Sequence, residues 1–215
     1  VVLLNASKNI ASTVSYENIA PGLQTIGIML PNSPLLDIVS NDFGKPVICT
    51  SANISGSPII YTNIDALEYV TAIADVVVTH NRDILTPQDD SVIRCTPFYN
   101  KKIIVRRSRG LAPNVFTNSV GENVIAYGAL MKSSFAIKQN ENFYVSQYLG
   151  NTSMLESQQM YRQAYEHLTN AVHVNPAIIL ADKHPEYFST AFANEISNKL
   201  NIPVEHIQHH KAHFA

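Results

Sequence analysis

No apolar run in the 215 residues approaches the roughly 18–20 that a membrane-spanning helix needs, so nothing in the sequence reads as crossing a bilayer. Charge of either sign is also scarce in excess. Fifteen Lys and Arg stand against 17 Asp and Glu, a net charge of −2, which leaves no global field for nucleic acid. Anion recognition must then come from local clusters, and nucleic acid is not an expected partner. Only two cysteines are present, Cys49 and Cys95, too few for a disulfide framework. Both lie in apolar, strand-like runs, and they are expected as buried thiols in a reducing cytoplasm rather than as a disulfide or a metal pair. Internal repeats and low-complexity tracts are missing as well. The chain opens on Val1-Val2-Leu3-Leu4 without a methionine or a basic leader, and reads as an internal piece of a longer protein.

What is present is ordinary globular composition, 46% hydrophobic and 15% charged. Over residues 1–116, short apolar runs alternate with polar, helix-compatible stretches, the pattern of layered α/β structure. Strands are expected at Pro46–Thr50, Asp75–Thr79, Ser91–Cys95 and Ile103–Val105, with helices over Leu35–Phe43 and Ile64–Ile73. Between Leu111 and Glu122 the periodicity fades and Pro113, Asn114, Asn118 and Gly121 collect, the composition of a connector, so the domain boundary is placed at 116/117. Beyond it, Val124–Tyr127, Phe135–Lys138 and Phe143–Gln147 predict a β-meander. Ser153 and Glu156 form a capping box ahead of a long amphipathic helix carrying Tyr161, Ala164, Leu168, Ala171 and Val172, which ends by Pro176. A strand at Ala177–Ala181, a helix over Pro185–Leu200 and a strand at Pro203–Ile207 follow. Meander, helix, strand, helix, strand is the order of an actin-like ATPase or ribonuclease-H-like half-domain.

Four constellations could carry chemistry. Thr50-Ser51-Ala52-Asn53-Ile54-Ser55-Gly56 gathers hydroxyls, an amide and a glycine just past an expected strand, where backbone N–H groups can approach phosphate or adenine; a plain turn fits equally. Lys101-Lys102 and Arg106-Arg107-Ser108-Arg109-Gly110, with Arg94 on the neighbouring strand, place guanidinium groups suited to bidentate capture of phosphate or carboxylate, or form a solvated edge. Asp89-Asp90 complements these arginines or holds magnesium, the former being the simpler role. In Gln208-His209-His210-Lys211-Ala212-His213, His209 and His213 are four apart, which on a helix puts both imidazoles on one face as a divalent metal requires. Two ligands do not make a tight site, so further ligands must come from elsewhere. The turn Gly128–Ser134 offers Lys132, Ser133 and Ser134 to a nucleotide phosphate, or is an ordinary surface hairpin.

Taken in order, Thr50–Gly56, Asp89-Asp90-Ser91-Val92-Ile93-Arg94 and Arg106-Arg107-Ser108-Arg109-Gly110-Leu111-Ala112-Pro113 resemble the YrdC-like domain of the HypF hydrogenase-maturation carbamoyltransferases. Ser146-Gln147-Tyr148-Leu149-Gly150, Asp182-Lys183-His184-Pro185 and Gln208–His213 resemble successive motifs of that family's transferase domain. The resemblance covers nearly the whole chain. It implies a mixed α/β (α+β) fold: the C-terminal part of a YrdC-like twisted sheet over 1–116, then the N-terminal part of an actin-like or ribonuclease-H-like carbamoyl-transfer domain over 117–215.

The same resemblance implies a pathway in which carbamoyl phosphate yields carbamate, ATP with Mg2+ adenylates it, and the carbamoyl group passes to the C-terminal cysteine of a HypE-type partner. The product becomes cyanide on a nickel-iron centre. By position, Thr50, Ser51, Asn53 and Ser55 then line the nucleotide pocket. Ser91, Arg94, Arg107 and Arg109 stand near phosphate or carbamate, Lys132 and Ser133 contact nucleotide, and His209 and His213 hold a divalent transition metal, zinc or iron. Leu130, Tyr148, Asn151 and Lys211 depart from the family pattern, which bears on the hairpin's nucleotide contact and leaves the histidine pair intact. Two alternatives are a YrdC-like threonylcarbamoyl-adenylate synthase of tRNA modification, whose expected basic surface is lacking here, and a degenerate nucleotide-binding scaffold.

Overall fold

The computed structural model describes residues 1–6, 14–54, 57–117, 119 and 121–214. It is a mixed α+β structure with two sheets, and the chain divides into two compact units, Val1–Ser51 with Asp90–Arg107, and Ala52–Asp89 with Ser108–Ala215.

The first unit is built on a four-stranded sheet of β1 (Val2–Asn5), β2 (Thr25–Ile28), β3 (Val92–Cys95) and β4 (Lys102–Arg106) in the order β2-β1-β3-β4. β1 runs parallel to β3, and both outer pairings are antiparallel. Besides the short helix α1 (Tyr16–Ile19) it carries α2 (Pro34–Phe43), whose bounds follow from its sequence. Ser33 accepts a hydrogen bond from Leu36 N at 3.3 Å, Pro34 opens the first turn, and Gly44 closes the last with φ +64. None of the residues of α2 is buried, and Leu35, Ile38 and Phe43 are all more than half exposed.

The second unit begins with α3 (Asn63–Asp65), capped by Thr62 and continued by a π-helical turn at Ala66–Val70, where the sequence predicts one regular helix to Ile73. Its six-stranded sheet has the order β10-β9-β6-β7-β8-β5, formed by β5 (Asn114–Thr117), β6 (Val124–Tyr127), β7 (Phe135–Gln139), β8 (Asn142–Val145), β9 (Ile178–Asp182) and β10 (Val204–Ile207). β9 pairs in parallel with both β10 and β6, while β5, β6, β7 and β8 join through antiparallel pairs. Alternate residues Ile125 and Tyr127, Phe135 and Ile137, Ile179 and Ala181 are buried, as a sheet with one covered face requires. They meet Tyr161, Ala164, Tyr165 and Leu168 of α4 (Leu155–Val172) and Phe192, Ala193 and Ile196 of α5 (Phe188–Leu200), each set at helical spacing.

Four expectations are corrected. Pro46–Thr50 and Asp75–Thr79 are not strands; although β-branched, they join no ladder among the described residues, and propensity without a partner makes no sheet. The segment 111–122 contains β5, which pairs with β8. Ser153 does not cap α4: the N-cap is Met154, with no side-chain bond, and Asn151 Oδ1 instead accepts from Ser153 N at 3.0 Å. Cys49 and Cys95 are exposed free thiols rather than buried ones: Cys95 lies on the outer half of β3, which faces solvent, and Cys49 lies in the segment that joins no ladder among the described residues.

Arg162 and Glu195 tie α4 to α5 through two parallel hydrogen bonds of 2.9 and 2.8 Å, with the guanidinium 4.4 Å over the Phe192 ring. The hydrogen bond from Arg162 is the main reason the Glu195 carboxyl lies below the ordinary carboxylate range. Their side chains are 41% and 55% exposed, so solvent screening holds the pair's contribution to about 0.2–1 kcal/mol. A carboxyl depressed by folding stabilises above the unfolded pKa near 4.3 and loses that contribution as pH falls through its folded value. Glu195→Gln is therefore expected to cost under about 1 kcal/mol at neutral pH and less near pH 3. Urea unfolding at the two pH values checks this, and a loss above about 2 kcal/mol at neutral pH would contradict it.

Candidate functional site

In the six-stranded sheet the parallel strands β6, β9 and β10 end at one edge, where α/β folds bind ligands. Val124 pairs with Ile178, and Asp182 with Ile207, so extending the register sets Gly128, Asp182 and Ile207 at one level. The β6–β7 hairpin, the loop after β9 and the segment after β10 thus share this edge.

Just past β10, Gln208 Oε1 accepts from His210 N at 2.7 Å and starts the short helix α6 (His209–His213). One turn separates His209 from His213. Their Nε2 atoms stand 3.2 Å apart and the ring centroids 4.8 Å. From the other side His209 Nδ1 lies 2.7 Å from Asp182 Oδ2, and the Asp182 side chain is only 9% exposed. Burial works against the Asp182 charge, yet the bonds from His209 and from His184 N, the latter 2.9 Å from Oδ1, outweigh it and hold this carboxyl below its usual range. His210 turns away to Gln208, and His184 stacks on Tyr187 at 4.2 Å. Two ring nitrogens about 2.0–2.1 Å from a tetrahedral ion stand roughly 3.3 Å apart, so the Nε2 pair fits two positions of such a shell. Among the described residues no group of three His, Cys, Asp or Glu side chains is gathered for a metal.

The hairpin is clamped from behind. Ser133 N donates to Gly150 O, Leu149 N to Ser133 O and Thr152 N to Leu130 O, at 2.8, 2.8 and 2.9 Å. Gln158 of α4 holds the Thr152 carbonyl at 2.9 Å. Lys132 sits exposed at the tip with φ +51, whereas the Ser133 side chain is enclosed, 1% exposed. Gly128 is compulsory in this turn, because a Cβ there would press on the Ser134 carbonyl oxygen and lie 3.2 Å from Ser134 N.

Of the other residues singled out in the sequence, Thr50, Ser51 and Asn53 are exposed, and Ser55 lies outside the described residues. Asn53 Nδ2 donates to Ile54 O at 3.0 Å and to Ser57 O at 3.3 Å, while Ile60 N reaches Ala52 O at 2.7 Å. These bonds tie Ala52 and Asn53 to Ser57 and Ile60. In the first unit, pairing of Val92 with Arg106 puts Ser91 and Arg107 at the same end of the β3–β4 ladder, with Arg94 two residues inside it. Ser91 is buried, Arg107 half-buried and Arg94 exposed. The arginine run does not continue the strand: β4 ends at Arg106, whose Nε donates to Asp90 O at 2.9 Å, so Arg107 lies just beyond it. In the second unit Arg109 forms an isolated β-bridge, its N donating to Asp89 O at 3.0 Å.

Asp182 is the functional candidate that sequence reasoning left without a role. Its signal is the motif Asp182-Lys183-His184-Pro185 at the end of a buried strand, and the 27 residues to His209 give no periodicity to link the two.

Two families match this chain. Residues 1–108 match the Sua5/YciO/YrdC family, described as telomere recombination, and residues 119–215 match the HypF Kae1-like domain. The chain is 37% identical to carbamoyltransferase HypF of Synechocystis sp. over 99% of its own length and 27% of that protein's. It superposes on the crystal structure of T. kodakarensis HypF with a TM-score of 0.89 at 37% identity, covering 99% of this chain and 28% of that one. Against full-length HypF in its phosphate- and nucleotide-bound form the TM-score is 0.84 at 30% identity, covering 99% and 32%. The chain spans about a quarter to a third of the length of these relatives.

Proposed function

This chain belongs to the HypF carbamoyltransferase family, and from that premise we propose that it takes part in forming carbamoyl-adenylate from carbamoyl phosphate and ATP and in passing the carbamoyl group to the C-terminal cysteine of a HypE-type acceptor. The carbamoylated acceptor serves cyanide-ligand synthesis for a nickel-iron hydrogenase. Residues 1–116 are assigned to the adenylate-forming domain and 117–215 to the transfer domain. Substrates of this kind put the reaction in the cytoplasm; no helix among the described residues is long and apolar enough to cross a membrane.

The observation that carries the reading is the succession, in one chain, of a YrdC-type sheet and a second sheet in which Asp182, at the end of β9, meets His209 of α6 just past β10, with His213 one turn on. Adenylation gathers negative charge on phosphate oxygens, and fixed guanidinium and N–H donors stabilise that charge more in the transition state than in the ground state. Thr50, Ser51, Asn53 and Ser55 are assigned to nucleotide, and Ser91, Arg94, Arg107 and Arg109 to phosphate or carbamate. Lys132, exposed at the hairpin tip, is the group there that reaches a phosphate; Ser133, enclosed behind it, acts through the shape of the turn. Mg2+ accompanies ATP. His209 and His213 would hold a zinc or iron ion, which would supply Lewis-acid polarisation of the carbamoyl carbonyl. Two imidazoles leave the rest of its shell to water, substrate or groups beyond the described residues.

ATP–pyrophosphate exchange in the full-length protein tests the reading. Exchange triggered by carbamoyl phosphate is expected. A requirement for threonine and bicarbonate would move the protein to tRNA modification, and binding of ATP with no exchange would favour the scaffold that Leu130 and Asn151 suggest.

A further inference from the structure

We propose that Asp182 is a positioning residue, fixing His209 with its proton on Nδ1 so that the Nε2 lone pair is presented, beside that of His213, to a divalent metal. The proposal deepens the metal reading above and rests on it. Three observations converge. Asp182 Oδ2 lies 2.7 Å from His209 Nδ1. The carboxylate is almost sealed from water and its second oxygen is held by His184 N at 2.9 Å, so it cannot swing away without breaking the loop after β9. His209 Nε2, on the far side of the ring, faces His213 Nε2 at 3.2 Å.

An ionised carboxylate only accepts hydrogen bonds, so the ring nitrogen against it must carry the proton, and the neutral imidazole then has its lone pair at Nε2. A bond to an ionised group is also among the stronger ones, which keeps the ring in one orientation and raises its basicity as a ligand. The strand pairing contributes as well. β9 and β10 are parallel neighbours with Asp182 level with Ile207, so a residue two beyond β10 falls beside the carboxylate whatever the conformation of the intervening surface loops.

The informative variant is Asp182→Asn. Its amide oxygen still accepts from His184 N, preserving the turn, and leaves an NH2 group facing His209 Nδ1. That nitrogen must then become an acceptor, and the proton moves to Nε2, where it blocks the metal. The test compares wild type, Asp182→Asn and His209→Ala in two readouts: zinc(II) affinity by competition with a chromophoric chelator, and the imidazole nitrogen-15 shifts of metal-free protein at about pH 8, above the ordinary histidine range. The expected results are an Nδ1–H tautomer at His209 in wild type and Nε2–H in Asp182→Asn, with zinc affinity lowered on the order of ten- to a hundredfold. Wild-type zinc affinity and an unchanged tautomer in a folded Asp182→Asn protein would overturn the proposal. Equal zinc binding by wild type and His209→Ala would instead overturn the metal reading, while a tautomer switch in the same samples would still support the contact between Asp182 and His209.

Discussion

Replacing Tyr161 by alanine is expected to destabilise the second unit by about 3–5 kcal/mol, the range for deleting a large buried ring. Tyr161 is fully buried, and its ring is packed by Tyr127, Phe135, Phe188 and Phe192 at centroid distances of 6.3, 5.5, 5.7 and 6.0 Å. These neighbours come from β6, β7 and α5, so the hole would open where the sheet and both helices meet. Backbone hydrogen bonding holds the strands in register, and the cavity therefore cannot close by local collapse alone. Tyr161→Phe keeps the ring and should retain most of the stability. Urea unfolding of the two variants checks the point, and a Tyr161→Ala loss below about 1.5 kcal/mol would mean that α4 does not seat on the sheet through this residue.

Gly128→Ala is expected to cost about 1–3 kcal/mol, a large effect for a single methyl group. The added carbon meets the carbonyl oxygen and nitrogen of Ser134, backbone atoms at the start of β7 that cannot rotate aside as a flexible side chain would. Relief requires the hairpin to shift, and the hairpin is bonded to Gly150 and Thr152, so the disturbance should appear in amide shifts of 128–134 and 149–152 together. Gly150→Ala makes a useful contrast. Its Cβ meets nothing nearer than Ser157 Oγ at 3.7 Å, so only the left-handed φ of +77 is costly, about 1–2 kcal/mol. If Gly128→Ala left stability and those shifts unchanged, the close approach between residues 128 and 134 would be wrong.

Where local physics decides, the structure was legible in advance. Ser33, Pro34 and Gly44 bracket α2 with a cap, a pre-set φ and a left-handed stop, and the short apolar run Val124–Tyr127 reads as a strand and is one. His209 and His213 could be paired from their spacing of four, because a helical turn sets their distance. What escaped depends on partners distant in sequence. Asn114–Thr117 has the composition of a connector and becomes a strand because β8 offers it a ladder. Pro46–Thr50 and Asp75–Thr79 have strand composition and find none among the described residues. The start of α4 was misplaced because the polar Ser153 and Glu156 imitate a capping box while Asn151 makes the turn. Asp182 was recognisable as part of a motif, but its bond to His209 exists only once two parallel strands are side by side.

A division of labour between the two halves of the chain is tested by ATP–pyrophosphate exchange in the full-length protein, compared across wild type, Asn53→Ala and His209→Ala. Exchange that requires carbamoyl phosphate, is lost in Asn53→Ala and survives in His209→Ala is the predicted result, with adenylation in the first half and transfer in the second. Exchange that survives Asn53→Ala, or that disappears in a folded His209→Ala protein, would contradict it.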